Sequence, residues 1–181
     1  LAWGRYMMGA MNRRLFFTAG AAVIVVAAGG LLYSRSRPAA SPDPLQQLLA
    51  SSLPDLHGQP QALSQWRGRP MVINFWATWC APCVKEMPEL EALSKKAAKV
   101  QFVGIGVDTA DNMRKFVEKL PVSYPLLVMG SAAIDTLRKL DNPSGGLPFT
   151  LVLNADGSIR QKILGQIDPN ALEKTVLDLV V

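Results

Sequence analysis

Two cysteines, a single histidine and no acidic residue before Asp43 are the scarcities that first narrow this 181-residue chain. Structural zinc takes four ligands, and Cys80, Cys83 and the distant His57 leave that set incomplete. Haem attachment through Cys-x-x-Cys-His fails because Val84 follows Cys83. No cysteine precedes Cys80, so no upstream thiol exists for lipid modification. No internal repeat is evident, and no metal or other cofactor is expected. The missing acids leave five arginines unopposed in the first 40 residues, whereas 14 basic residues balance 14 acidic ones from residue 41 onward. The net charge of +5 therefore belongs to the N-terminal segment. A basic nucleic-acid-binding face is not expected on the neutral remainder, whose Lys95, Lys96 and Lys99 fall on the exposed side of a helical pattern.

What is present centres on Trp79-Cys80-Ala81-Pro82-Cys83. The preceding run, Met71 to Ala77, is too apolar for a strand with one wet face and suits a central parallel strand. Beyond the motif, Met87, Leu90, Leu93, Ala97 and Val100 recur at steps of three and four, which predicts a helix starting near Cys80. At that helix start, unpaired N–H groups and the positive end of the macrodipole favour a thiolate over a thiol. A free cysteine has a pKa of about 8.5, and such settings lower it to roughly 3.5–7.5. Cys80 is thus the expected attacking thiol and Cys83, one turn inside, the resolving thiol. Pro82 limits the geometry of the loop between them. A static crosslink is a poorer use of the pair, since so short a loop removes little chain entropy. His57 is expected to decorate a turn.

Asn74 to Cys83, followed by Lys85-Glu86-Met87-Pro88, closely resembles the active-site segment of membrane-anchored thioredoxin-like thiol-disulfide oxidoreductases of the ResA, TlpA and DsbE (CcmG) type. Gly146-Leu147-Pro148-Phe149-Thr150 resembles that family's second landmark, a cis proline facing the dithiol. The similarity runs over roughly residues 53–181. It implies a redox-active Cys80–Cys83 disulfide and a substrate-binding surface made of Trp79, Leu147 and Pro148, with Leu147 offering its backbone to an extended substrate. In cytosolic thioredoxin the strand carries a buried aspartate where this chain has Asn74. An amide takes up no proton at working pH, which leaves Glu86, one turn past Cys83, as a candidate proton relay. The competing view of Glu86 is a plain charged residue in a helix's first turns. Pro88 lacks a donor within the same helix and is expected to kink it.

The N-terminal 40 residues obey other physics. Leu15 to Tyr33 is a 19-residue run without a charge, flanked by Arg13-Arg14 and by Arg35 and Arg37. As a helix it measures about 28 Å, close to the roughly 30 Å of a hydrocarbon core. Residues 1–10 read as an upstream extension, 11–37 as a signal anchor crossing the inner membrane through 15–33, and 38–52 as a tether that ends in a short helical stretch. Arg13-Arg14 with Leu15-Phe16-Phe17 also resembles a twin-arginine export signal. Small residues at 26–28 and 38–40 keep cleavage to a soluble periplasmic form open as the alternative.

Residues 53–181 read as one α/β domain, a thioredoxin-like fold with a central mixed sheet flanked by helices and an extra strand-helix insertion between Val107 and Leu147. Strands are expected near 100–107, 125–129, 149–153 and 159–164, the last two joined by the Asn154-Ala155-Asp156-Gly157 turn. Helices are expected around Met113 to Leu120, over 134–140, and after an Asp168-Pro169 cap with Leu172, Val176, Leu179 and Val180 inward. The expected function is periplasm-facing reduction of disulfides in exported proteins, apocytochrome c before haem attachment among them. The resemblance implies a membrane thiol transporter of the DsbD or CcdA type as electron donor. Alternatives are a thiol oxidase with the same residues, a thiol peroxidase sharing the Thr78-x-Cys80 spacing, and a tethered binding module.

Overall fold

The computed structural model describes residues 43–180. The expectations for residues 1–10, the anchor at 11–37 with its span at 15–33, and the start of the tether lie outside the described residues. Among the described residues no helix is long and apolar enough to cross a membrane.

The short helical stretch expected at the end of the 38–52 tether is Pro44–Ala50, helix α1, capped by the Asp43 carboxylate, which accepts from Leu45 N. Leu45, Leu48 and Leu49, at i, i+3 and i+4, make an apolar stripe that is buried in the core. The folded unit therefore takes in these residues rather than beginning at Leu53. A hairpin of β1 (Ser52–Pro54) and β2 (Pro60–Ala62) follows, with exposed His57 in its turn, as expected.

Five strands form the main sheet: β3 (Met71–Trp76), β4 (Gln101–Gly106), β5 (Leu126–Val128), β6 (Phe149–Leu153) and β7 (Ile159–Leu164), in the order β5-β4-β3-β6-β7. β3 is central and buried along its whole length, parallel to β4 and antiparallel to β6. That explains its unbroken apolar run, since both faces are covered. The helices α2 (Ala81–Lys96), α3 (Ala110–Val117), α4 (Ala133–Lys139) and α5 (Pro169–Leu177) flank the sheet. α3, β5 and α4 lie between β4 and β6, which contains the expected insertion. α2 runs continuously through the exposed Pro88. α5 stops at Leu177, so Leu179 and Val180 pack on the core from beyond the helix end, not from within it. Gly106 has no side chain for a reason: a Cβ there would run into the Met113 thioether of α3.

Candidate active site

The C-terminal end of β3 delivers the chain to the N-terminus of α2, and the dithiol sits at that junction. Cys80 is the helix N-cap, its sulfur accepting from Cys83 N at 3.3 Å, and Cys80 is disulfide-bonded to Cys83. The cap arrangement aims a backbone N–H at the Cys80 sulfur, which in the reduced protein supports a thiolate there. The two sulfurs are not equivalent. Cys80 keeps 6% of its surface exposed, whereas Cys83 is at 0%. Trp79, beside the motif, is 67% exposed and is the most exposed large apolar side chain of the described residues.

Along α2 beyond Cys83 the site is polar and buried. Glu86 is completely buried, one turn along α2 and therefore on the same helical face as Cys83. Its Oε1 accepts from Asn74 Nδ2 at 2.8 Å and its Oε2 from Ile167 N at 3.0 Å. Asn74 Nδ2 also donates to Thr150 Oγ1 at 3.0 Å. Burial pushes the Glu86 carboxyl above the usual carboxylate range, and the donors Ile167 N–H and Asn74 only partly oppose it. Glu86 does stand in the first turns of α2, but it is buried there, bonded to Asn74 of β3 and to Ile167 of the segment before α5.

Asp108 follows β4 and accepts from Thr78 N at 3.1 Å, from the Thr78 hydroxyl, from Thr109 N at 2.7 Å and from Asn112 Nδ2 at 2.8 Å. Burial works to raise its pKa, but the Thr78 hydroxyl, Asn112 and the Thr109 and Thr78 N–H groups outweigh it, so the carboxyl stays below its ordinary range. Asp108 thereby fixes the turn two residues before Cys80. The Leu147–Pro148 peptide bond is cis, with Pro148 buried and Leu147 half-buried. Phe75 pairs with Phe149 at the end of the β3–β6 ladder, so Leu147 and Pro148 lie at the same end of the sheet as Trp76 to Cys80.

A protein-family model described as Redoxin matches residues 36–179. The chain belongs to the Redoxin family. It is similar to the thiol-disulfide oxidoreductase ResA of Geobacillus kaustophilus (strain HTA426), with 29% identity over 126 residues, 67% of this chain and 70% of that protein. It is also similar to the thioredoxin-like protein YneN of Bacillus subtilis (strain 168), with 30% identity over 139 residues, 74% of this chain and 78% of the relative. Among solved structures, a thioredoxin-related protein from Neisseria meningitidis serogroup B shares 35% identity at a TM-score of 0.61, covering 70% of this chain and 97% of that one. A thioredoxin-family thiol:disulfide interchange protein from Chlorobium tepidum TLS, at 24% identity and a TM-score of 0.66, covers 80% of this chain and 100% of that one and speaks for the fold alone. This redoxin has a thioredoxin-like fold of the ResA/DsbE type and is a thiol-disulfide oxidoreductase with Cys80 and Cys83 as its sulfur pair.

Of the residues singled out in the sequence, the redoxin fold joins Cys80, Cys83 and Trp79 at one helix tip and brings Leu147 and Pro148 to the same sheet end. Glu86 joins them from below. Sequence reasoning missed Asp108 and Thr150 as members of the site and named Thr78 only for its spacing to Cys80. Asp108 carried a usable signal, since it stands directly after a buried strand whose C-terminal end is where α/β folds place their chemistry. Thr150, 76 positions from Asn74, carried none that spacing could reveal.

Proposed function

We propose that this redoxin faces the periplasm and reduces disulfides in exported proteins, apocytochrome c before haem attachment being one such client. The observation that carries this reading is the unequal pair at the tip of α2, an accessible Cys80 over a sealed Cys83 with a buried carboxyl behind it. The Cys80 thiolate attacks a substrate disulfide, forming a mixed disulfide and expelling one substrate thiolate. Glu86 accepts the proton of Cys83, whose thiolate then attacks the Cys80 sulfur. The second substrate thiolate leaves, the Cys80–Cys83 disulfide forms, and two electrons have passed to the substrate. Trp79, Leu147 and Pro148 form the surface on which the substrate chain lies.

A reductant in an oxidising compartment needs its own electron supply, and a membrane thiol transporter of the DsbD or CcdA type is the donor we assign. The uncharged run at 15–33 supports anchoring in the inner membrane, and the slight excess of arginine before it, Arg5, Arg13 and Arg14 against Arg35 and Arg37, supports a domain outside. ResA relatives, named as thiol-disulfide oxidoreductases, support the reaction class. Equilibration with glutathione buffers tests direction. A reductant is expected near the roughly −270 mV of thioredoxin, and a value near the about −120 mV of DsbA would make the protein an oxidase instead. Capture by Cys83→Ser, which leaves clients joined to Cys80, identifies substrate and donor together.

A further inference from the structure

Among the described residues, Glu86 has no cation to support its charge. No lysine or arginine makes an ion pair with it among the described residues. The titratable groups that act on or feel it are Glu89 on its own helix and, from the segment before β5, the buried Tyr124 phenol, whose pKa is raised by burial, by Glu91 and by Glu86. The anionic form of Glu86 therefore rests on two N–H donors, the Ile167 backbone and the Asn74 side chain. Asn74 is the only side chain of the two.

Asn74 is itself held in place. It faces Thr150 directly across the β3–β6 ladder, and its nitrogen spans from the Thr150 hydroxyl to Glu86 Oε1. Its carbonyl oxygen is buried without a partner. An orphaned buried carbonyl is costly, and an apolar residue at this position of a fully buried strand would avoid that cost. The amide's orientation also carries information. A carboxylate only accepts, so nitrogen must face Glu86 when Glu86 is charged, whereas the reverse orientation would set oxygen against oxygen unless Glu86 held a proton. The observed arrangement fits the charged form.

We propose that Asn74, braced by Thr150, is a positioning residue that holds the Glu86 carboxyl in its proton-accepting form beneath Cys83. The inference rests on the reading of Glu86 as the acceptor. In the step concerned, the Cys83 S–H proton passes to Glu86, the Cys83 thiolate forms a bond to the Cys80 sulfur, and the bond from Cys80 to the substrate sulfur breaks. The substrate leaves as a thiolate that takes its proton from water.

Dithiobis-nitrobenzoate separates the two thiols. Mixed with the reduced full-length protein, it gives one coloured thiolate when Cys80 attacks and a second when Cys83 displaces the remaining half. The second phase, followed against pH, is expected to have an acidic limb set by Glu86. Asn74→Leu should move that limb to higher pH by about one unit, a ~10-fold slower second phase on the acidic side that converges with the wild type at high pH. The first phase should hold its rate and amplitude, which also reports that the variant has folded. Thr150→Val, nearly the same shape, should shift the limb in the same direction by less, and Thr150→Ser should restore it. A limb that stays in place in both Asn74→Leu and Thr150→Val, or a second phase slowed equally at every pH, would overturn the proposal. Glu86→Gln separates the two levels. If it leaves the limb intact, Glu86 is not the acceptor; if it removes the limb while Asn74→Leu leaves it unmoved, only the role of Asn74 falls.

Discussion

Asp108, bonded to the turn before the dithiol, and Glu86, one helical turn beyond it, meet opposite fates. Asp108 collects hydrogen bonds from Thr78, Thr109 and Asn112, and its carboxyl is held below the ordinary range despite burial. Glu86 is sealed more completely, finds only Asn74 and Ile167 as donors among the described residues, and is pushed above that range. Burial alone sets neither value; the number of donors ranged against desolvation decides the sign. Asp108 is thus held toward its anionic form and ties down the Thr78 turn, whereas Glu86 is displaced toward its protonated form.

The largest expected effect on this contrast comes from Glu86→Gln. Its rate of mixed-disulfide resolution should fall by about 10²-fold near neutral pH, since the local proton acceptor is gone. Stability should separate the two groups by sign. A raised carboxyl in the folded state contributes stability at low pH that is lost as pH rises through its folded pKa; a depressed one contributes above its unfolded pKa and is lost as pH falls through its folded pKa. Urea midpoints measured against pH should therefore decline above the ordinary carboxylate range because of Glu86, and that decline should vanish in Glu86→Gln. Asp108→Ala should cost about 2–3 kcal/mol in urea unfolding at neutral pH, because Thr78 and Thr109 lose their acceptor. Its second-phase pH limb should stay where it is; a moved limb would erase the division of labour between the two carboxyls.

Smaller effects probe the scaffold around them. Gly106→Ala forces a methyl against Met113 just before Asp108 and should cost about 1–3 kcal/mol in thermal or urea unfolding. Trp79→Ala should change stability by no more than ~0.5 kcal/mol, its ring being exposed, yet slow the reduction of protein disulfides by up to about tenfold. A large loss of stability in that variant would show that Trp79 serves the fold rather than the substrate.

Much of this arrangement could be read along the chain because local patterns dictate it. The apolar run from Met71 to Trp76, the helix after Cys80, the Asn154–Gly157 turn and the Asp168 cap all follow from periodicity or turn chemistry within a few residues. Three features escaped for a common reason. Leu45, Leu48 and Leu49 sit in a proline- and serine-bearing stretch that resembles a linker until something offers them a core to enter. Glu86 has the spacing of a surface acid and is buried only because Asn74 and Ile167, 12 and 81 positions away, come to it. Asp108 reaches Thr78 across 30 positions. Long-range polar partners leave no period in a sequence, and at this site they set the direction in which each carboxyl is shifted.

Site-resolved alkylation of the reduced protein is the most direct test of the central claim, that Cys80 is the reachable, activated thiol and Cys83 the sealed one. With limiting iodoacetamide at neutral pH and peptide mass spectrometry over time, Cys80 should be modified at least ~50-fold faster than Cys83. Equal rates, or faster modification of Cys83, would contradict the account.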